Sequence, residues 1–326
     1  MTREFTKITV VGEDDTGLIA EVTSLLFERS INIEDLDQAV REGIFRMTMH
    51  VDTAEMVCTE EKLRTDLHEL GDELGVDVQV QFPTERETQQ IAVLVTKESH
   101  CLEAIFEAWA SGDIGAEVSV VIGNHSDLEP LAEKYEVPFH DIGDENGNPD
   151  EGELLDLLAE YNADLIVLAR YMRILSPDVV FRYENQIINV HPSLLPSFPG
   201  AEAYLQALEE GVRLAGVTAH YVTTDLDQGP IITQRAFNVP PDSEVDDLRR
   251  LGQPLEAEAL LEAIRLHLND DVAVHRGRTQ LRDPEESDAQ LGAPAELNDM
   301  IPDRPIDGLG EFVAEQDEEA EAEADD

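Results

Sequence analysis

The chain's 326 residues carry 72 acidic against 22 basic side chains, a net charge of −50, which would repel a phosphodiester backbone and excludes a nucleic-acid partner. Its two cysteines, Cys58 and Cys101, have neither metal-knuckle nor disulfide-framework spacing and predict free thiols in a reducing compartment. No apolar run reaches membrane-span length and none follows a basic start, so neither a membrane segment nor a signal peptide is expected and a cytoplasmic location is.

In chain order, residues 1–84 read as a small domain of their own. Phe5–Val11 is a strand, the polar loop GEDDTG follows, and Leu18–Arg29 is a helix with Leu18, Ile19, Val22, Leu25 and Leu26 on one face. A second strand lies around Ile33–Ala39. Ile44–Val51 alternates as a third, Leu63–Leu74 is helical, and Val76–Phe82 alternates again. The order βαββαβ packs as a four-stranded sheet with two helices on one face.

Thr84–Gln90 is a polar linker, and residues 90–282 read as a second domain. Apolar strands at Ile91–Val95, Val118–Ile122 and Leu165–Leu168 alternate with helices at Leu102–Trp109, Leu128–Tyr135 and Leu154–Tyr161, and Val137–His140 is a short strand. Such alternation predicts an α/β fold with a largely parallel sheet covered on both faces, binding ligands at the carboxyl ends of its strands. Pro254 suits the start of a late helix, Leu255–Leu268, and residues 272–281 read as a strand pair or extended arm. Residues 283–326 are acidic and predict a disordered, solvated tail.

The chemistry concentrates in residues 187–232. Ile187-Ile188 ends a buried strand, and Asn189 and His191, two apart on an extended chain, face one side. A helix at about Ala201–Glu210 and a strand at Ala215–Val222 lead to the turn TTDLDQGP, which carries Asp225 and Asp227, and Ile231–Phe237 follows. An Asn amide and a protonated His are donors for a developing oxyanion, and a nearby carboxylate can hold the His charge or take a proton. Singly, each residue is better read as a cap, a packed ring or a turn residue; the three together suggest attack on a carbonyl. His100, His125, His140 and His220 show no metal-ligand spacing and are expected to be structural or exposed.

N-x-H-P-S-L-L-P-x-x-P-G followed by L-D-x-G-P-I resembles the formyltransferase-type, Rossmann-like domain that handles 10-formyltetrahydrofolate. The resemblance implies that Asn189 and His191 polarise the formyl group and that Asp227 positions or activates the nucleophile. It also implies folate contacts from Met172, Arg173 and Leu175 in LARYMRILSP. The N-terminal order, with D-D-T-G-L-I-A before the first helix and N-I after it, resembles an ACT regulatory domain of the ferredoxin-like kind. That resemblance implies an amino-acid effector, methionine or glycine, near Asp15, Gly17 and Asn32; such domains also serve as dimer interfaces, and a homo-oligomer is expected.

Within the formyltransferase-type family, the loop VTKESHCLEAIF (95–106) contains no glycine, whereas transferases acting on glycinamide ribonucleotide use a Gly/Ser-rich loop there to cradle phosphate. Lys97 could meet a phosphate and Glu98 would repel it. This loop, the ACT-like domain and the A-H-Y-V of 219–222 resemble the deformylase branch, which hydrolyses the folate to formate. Pro192 and SLLPSFPG look transferase-like, since deformylases commonly place a second His after the first. The alternatives are formyl transfer to an amine and a non-catalytic folate sensor. No cofactor or metal is implied, the folate being substrate and water its partner. The acid-rich, Lys-poor composition resembles that of proteins from salt-loving cells.

Overall fold

A computed structural model of the chain describes residues 5–82, 88–275 and 277–281. The acidic tail and most of the linker lie outside the described residues. No helix among the described residues is long and apolar enough to cross a membrane.

The N-terminal part is a four-stranded antiparallel sheet with two helices. In chain order these are β1 (Thr6–Glu13), α1 (Leu18–Glu28), β2 (Asn32–Arg41), β3 (Ile44–Asp52), α2 (Glu60–Leu74) and β4 (Val76–Gln81), with strand order β2-β3-β1-β4. The predicted βαββαβ order is what is found. Glu42 and Gly43 join β2 to β3, both at positive φ, the two-residue turn whose twist matches a hairpin. Helix α2 begins where the Thr59 side chain accepts from Lys62 N–H at 3.2 Å and ends at Gly75 in the left-handed conformation. Alternation then explains the packing of β3: Phe45, Met47, Met49 and Val51 pack with Leu18, Val22, Leu26, Leu63 and Leu67 from the helices.

The opposite face of this sheet is covered by the second part of the chain. Arg46 and Thr48 point that way and are buried. The covering element is α6 (Pro177–Arg182), a short helix not anticipated from the sequence. Arg46 lies over the Phe181 ring, 5.6 Å from its centroid, and ion-pairs with Glu184 and Asp37. Arg182 pairs with Asp77 on β4. Farther along, Arg41 at the end of β2 pairs with Asp225, so the two sheets are joined by charge pairs as well as packing.

The second sheet has seven strands: β5 (Gln90–Val95), β6 (Glu117–Gly123), β7 (Phe139–Asp141), β8 (Leu165–Ala169), β9 (Ile187–His191), β10 (Leu214–Tyr221) and β11 (Ile231–Asn238), in the order β11-β10-β9-β8-β5-β6-β7. β5 to β9 run parallel, and β10 and β11 are antiparallel additions at one edge. β5 shows why both faces are apolar: Ile91, Val93 and Val95 join one core cluster while Ala92 and Leu94 join another. Helices α3 (His100–Ser111), α4 (Glu129–Lys134) and α8 (Val245–Leu268) supply the first cluster, α5 (Glu151–Glu160) and α6 the second. The remaining helix, α7 (Ala203–Glu209), packs with α8 through Tyr204, Ala207 and Leu248. β12 (Val272–His275) and β13 (Arg278–Leu281) form the expected strand pair.

One predicted boundary is corrected. The last helix starts at Val245, not at Pro254, which lies inside it. A reciprocal cap between Glu244 and Asp247 nucleates the helix, and Leu248, Gly252, Glu256, Ala259 and Leu260 bury one continuous face across the proline. That burial offsets the hydrogen bond Pro254 cannot make, a loss of roughly 3 kcal/mol in a helix interior.

The last turn of α8 carries a buried base. Tyr221 Oη donates to His267 Nδ1 at 2.8 Å. Burial pushes the imidazole down to about 4, with Asp270 opposing and Lys7 adding to the effect. The folded chain therefore refuses a proton that the unfolded chain accepts below its ordinary pKa of about 6.5. Stability is expected to fall as pH drops from about 6.5 to about 4, by an amount on the order of 3 kcal/mol from this group. Denaturant unfolding at pH 7 and pH 4.5 should show a larger loss for the wild type than for His267→Gln; equal losses would remove His267 from the acid response.

Candidate active site

The site is built by the carboxyl ends of β8 and β9, the end of β10 and the turn that follows it. Asn189 and His191 project from β9 to one side, as the strand period requires. Strand β10 runs antiparallel beside β9, with His220 opposite Asn189 and Thr218 opposite His191. The turn after β10 brings Asp227 over the same spot. That turn depends on Gly229: a side chain there would meet the Tyr221 carbonyl oxygen at 1.7 Å. Asp227 itself sits at φ 53, a left-handed conformation that Asp tolerates better than most residues.

The polar groups interlock. Gly200 N–H donates to Asp227 Oδ2 at 2.7 Å, tying the turn after β10 to the proline-rich loop after β9. His191 Nε2–H donates to the Phe198 carbonyl at 2.9 Å, and its Nδ1 faces Asp227 Oδ2 at 3.4 Å. His220 behaves differently. Its Nδ1–H donates to the Tyr221 carbonyl at 2.9 Å, and its Nε2 accepts from Asn189 Nδ2 at 3.2 Å. Burial lowers the His220 pKa; the Tyr221 carbonyl and Asp227 oppose that shift, and His191 reinforces it. A neutral His220 therefore orients the Asn189 amide, whose second N–H is left for a carbonyl oxygen in the cavity.

These residues line one cavity of about 590 Å³, a volume suited to a drug-sized ligand. Asn189, His191, Asp227 and His220 lie on its wall together with Met172, Arg173 and Leu175. Met172 is 56% exposed, and its N–H is held by Thr96 Oγ1 at 2.9 Å. Arg173 donates to the carbonyls of Gly147 and Asn146, each at 2.8 Å. Leu175 is part of the core beneath. The structure thus places all six residues anticipated for catalysis and folate at one site. The three expected at an effector site lie elsewhere. Asp15 accepts from Thr16 N–H at 2.6 Å, Gly17 caps α1 at φ 101, and Asn32 donates to Glu34 at 2.8 Å.

His220 is a correction to the sequence reading, which placed it among structural or exposed histidines. It is buried and faces the site because β9–β10 register sets it opposite Asn189. Its position in A-H-Y-V was a signal, but pairing across strands was not readable. Also missed was a buried ionic cluster at the other end of the cavity. There Glu98 and Arg170, both on the cavity wall, meet Glu256 of α8 and His100 of α3. His100, Cys101 and Glu256 offer three ligand-type atoms close together, but burial pushes the Cys101 thiol far above its usual range, with Glu256 adding to this. A neutral thiol beside Arg170 does not suit a metal.

Comparison with known proteins places this geometry. Residues 89–264 match the Formyl transferase family model and residues 4–81 match the ACT domain model. The chain is 37% identical to formyltetrahydrofolate deformylase of Bacillus subtilis (strain 168), over 82% of this chain and 90% of that protein. It is 38% identical to the protein of that name from Haemophilus influenzae, over 82% and 95%. The crystal structure of a formyltetrahydrofolate deformylase from Pseudomonas syringae pv. tomato superposes with a TM-score of 0.59 at 30% identity, covering 86% of this chain and 94% of that one. Glycinamide ribonucleotide transformylase 1 from Symbiobacterium toebii, with a TM-score of 0.58 and 36% identity, covers 62% of this chain and 98% of its own. The deformylases therefore match across both sheets and the transformylase across a smaller part, and the chain belongs to the formyltetrahydrofolate deformylase family, with an ACT domain ahead of a formyltransferase domain.

Proposed function

We propose that the chain hydrolyses 10-formyltetrahydrofolate to formate and tetrahydrofolate. The observation that carries this reading is Asp227, buried against two imidazoles on the wall of a cavity large enough for a folate. Asp227 takes a proton from a water as the water oxygen bonds to the formyl carbon. The formyl oxygen becomes an oxyanion, held by the free Asn189 N–H, while His191 on the same wall faces Asp227 with Nδ1 and exchanges protons with it. Collapse of that adduct breaks the bond from carbon to the folate nitrogen. The proton returns through Asp227 and His191 to that nitrogen, and the product leaves as formic acid, which gives up its hydroxyl proton to water and becomes formate. Met172, Arg173 and Leu175 form the folate wall. His220 works through Asn189, holding the amide in its donor orientation.

Formyl transfer to an amine is the competing reading, supported by the likeness to the transformylase and by Pro192. The two separate in one assay. The hydrolase reading expects formate release at the same rate with and without glycinamide ribonucleotide, and no formylated product. Formylglycinamide ribonucleotide appearing faster than formate would overturn it. Asp227→Asn should keep folate affinity and lower turnover by roughly a hundredfold or more; near-normal turnover would remove Asp227 from proton transfer.

We further propose that the N-terminal domain binds an amino-acid effector near Asp15, Gly17 and Asn32. Support comes from the ACT match and from a route to the active site: Asn32 begins β2, and Arg41 at its end pairs with Asp225, two positions before Asp227. Methionine or glycine should bind the full chain in calorimetry and change formate release. Arg41→Gln should weaken that response at least twofold without abolishing effector binding, at the scale of typical coupling energies. An unchanged response in this variant would exclude the Arg41–Asp225 route.

A further inference from the structure

The cavity ends in a group of charges that the hydrolytic chemistry does not use. Strand β5 leads through α3 to β6 on one side, while β8 lies on its other side. The crevice between the carboxyl ends of β5 and β8 is thus the point where the sheet changes winding direction, the place where open α/β sheets take their ligands. Glu98 follows β5 and Arg170 follows β8, and both line the cavity there.

Among the described residues, Arg170 and His100 at this end are already met by carboxylates. Arg170 Nη2 and Nε donate to the two oxygens of Glu98 at 3.0 and 3.2 Å, a two-pronged pair. Its Nε also lies 3.5 Å from Glu256 Oε2. Glu256, with a side chain 1% exposed, is held further by His100 Nε2 at 2.9 Å and by the Tyr204 hydroxyl, which donates to Oε1 at 2.6 Å. Gln253 Nε2 reaches Glu98 Oε2 at 3.5 Å. Lys97, the loop's other cation, is 3.9 Å from Asp127. Burial would favour the neutral form of Glu98, but the Arg170 fork outweighs it and holds the carboxyl below its usual range. The same balance keeps Glu256 ionised, with His100, Arg170 and Tyr204 overcoming its burial.

We propose that Glu98 is a specificity-determining residue that confines the acceptor to water, its carboxylate standing where an anionic second substrate would meet Arg170. This inference rests on the hydrolase reading above. Two features argue for it. The carboxylate is built in by a buried second layer, since Glu256 fixes Arg170 and Arg170 fixes Glu98. It also stands directly ahead of α3, where the helix start and the Arg170 N–H groups that Glu98 now occupies would otherwise attract a phosphate. A phosphorylated amine must displace Glu98 from Arg170 and then lie beside it, a like-charge contact. Water carries no charge and needs no such place.

Calorimetric titration of the full chain with inorganic phosphate tests this without relying on turnover. Wild type, Glu98→Gln, Glu98→Ser and the double variant Glu98→Ser/Arg170→Gln would be compared. Both single variants are expected to bind phosphate roughly tenfold or more tighter than wild type, as removal of a like charge beside a cation requires. The double variant should lose that gain. Equal phosphate binding by wild type and both single variants would overturn the proposal, as would a gain that survives loss of Arg170. Glu98→Gln keeps the shape of the side chain and so remains a fair test if the serine variant fails to fold. Formate release by the wild type is read separately: its absence would sink the hydrolase reading, while the phosphate titration decides the anion block by itself.

Discussion

The register between β9 and β10 is the constraint on which the site depends. It sets His220 opposite Asn189 and Thr218 opposite His191. A slip of one residue would turn His220 to the other face of the sheet and leave the Asn189 amide without its acceptor. The pairing is held by buried polar bonds behind the site. Thr218 Oγ1 donates to the Ser193 carbonyl at 2.7 Å and accepts from Leu195 N–H at 3.0 Å. The loop after β9 then returns to present Phe198 to His191 and Gly200 to Asp227. One hydroxyl on a neighbouring strand thus helps shape the loop on which both ionisable groups rest.

Two kinds of electrostatic environment share the cavity. At the β9–β10 end, the charges are sparse and the rings differ in their partners: His220 is neutral with its acceptor nitrogen on Asn189, and His191 faces carbonyl and carboxylate at once. At the β5–β8 end, carboxylates and cations are densely paired around Glu256. The first arrangement leaves groups able to move protons. The second consumes its charges internally, in a buried network whose members would each be costly if left alone. Helix α8 makes the difference possible by carrying Glu256 beneath the cavity and running unbroken through Pro254.

The N-terminal sheet is bound to this machinery through one of its two faces. Its helices cover one side, and α6 covers the other with Phe181 under Arg46 and Glu184 on the guanidinium. Arg46 is buried and would be unfavourable there without those partners. The β2–β3 hairpin then extends as far as the turn that carries Asp227, through Arg41 and Asp225. The amino-acid regulation proposed for this domain would need such a contact between the two parts of the chain.

The sequence by itself determined the elements whose signal is local. Alternation marked β3 and β4, unbroken apolar runs marked β5, β6 and β8, and leucine spacing marked α2. The same strand period put Asn189 and His191 on one side, and the Asp227 turn was visible from its glycine and proline. Only the tertiary structure decided the rest. His220 gained its place through a strand partner far along the chain, and Glu98, Arg170 and Glu256 meet from three separate elements. Helix α6 found its role against a sheet formed much earlier in the chain. Pro254 gave a local signal for a helix start that burial along α8 overrode. Periodicity reports only which face of an element is apolar. Which elements those faces meet, and in what register, follows from packing between residues distant in sequence, and ion pairs buried by that packing leave no trace in spacing.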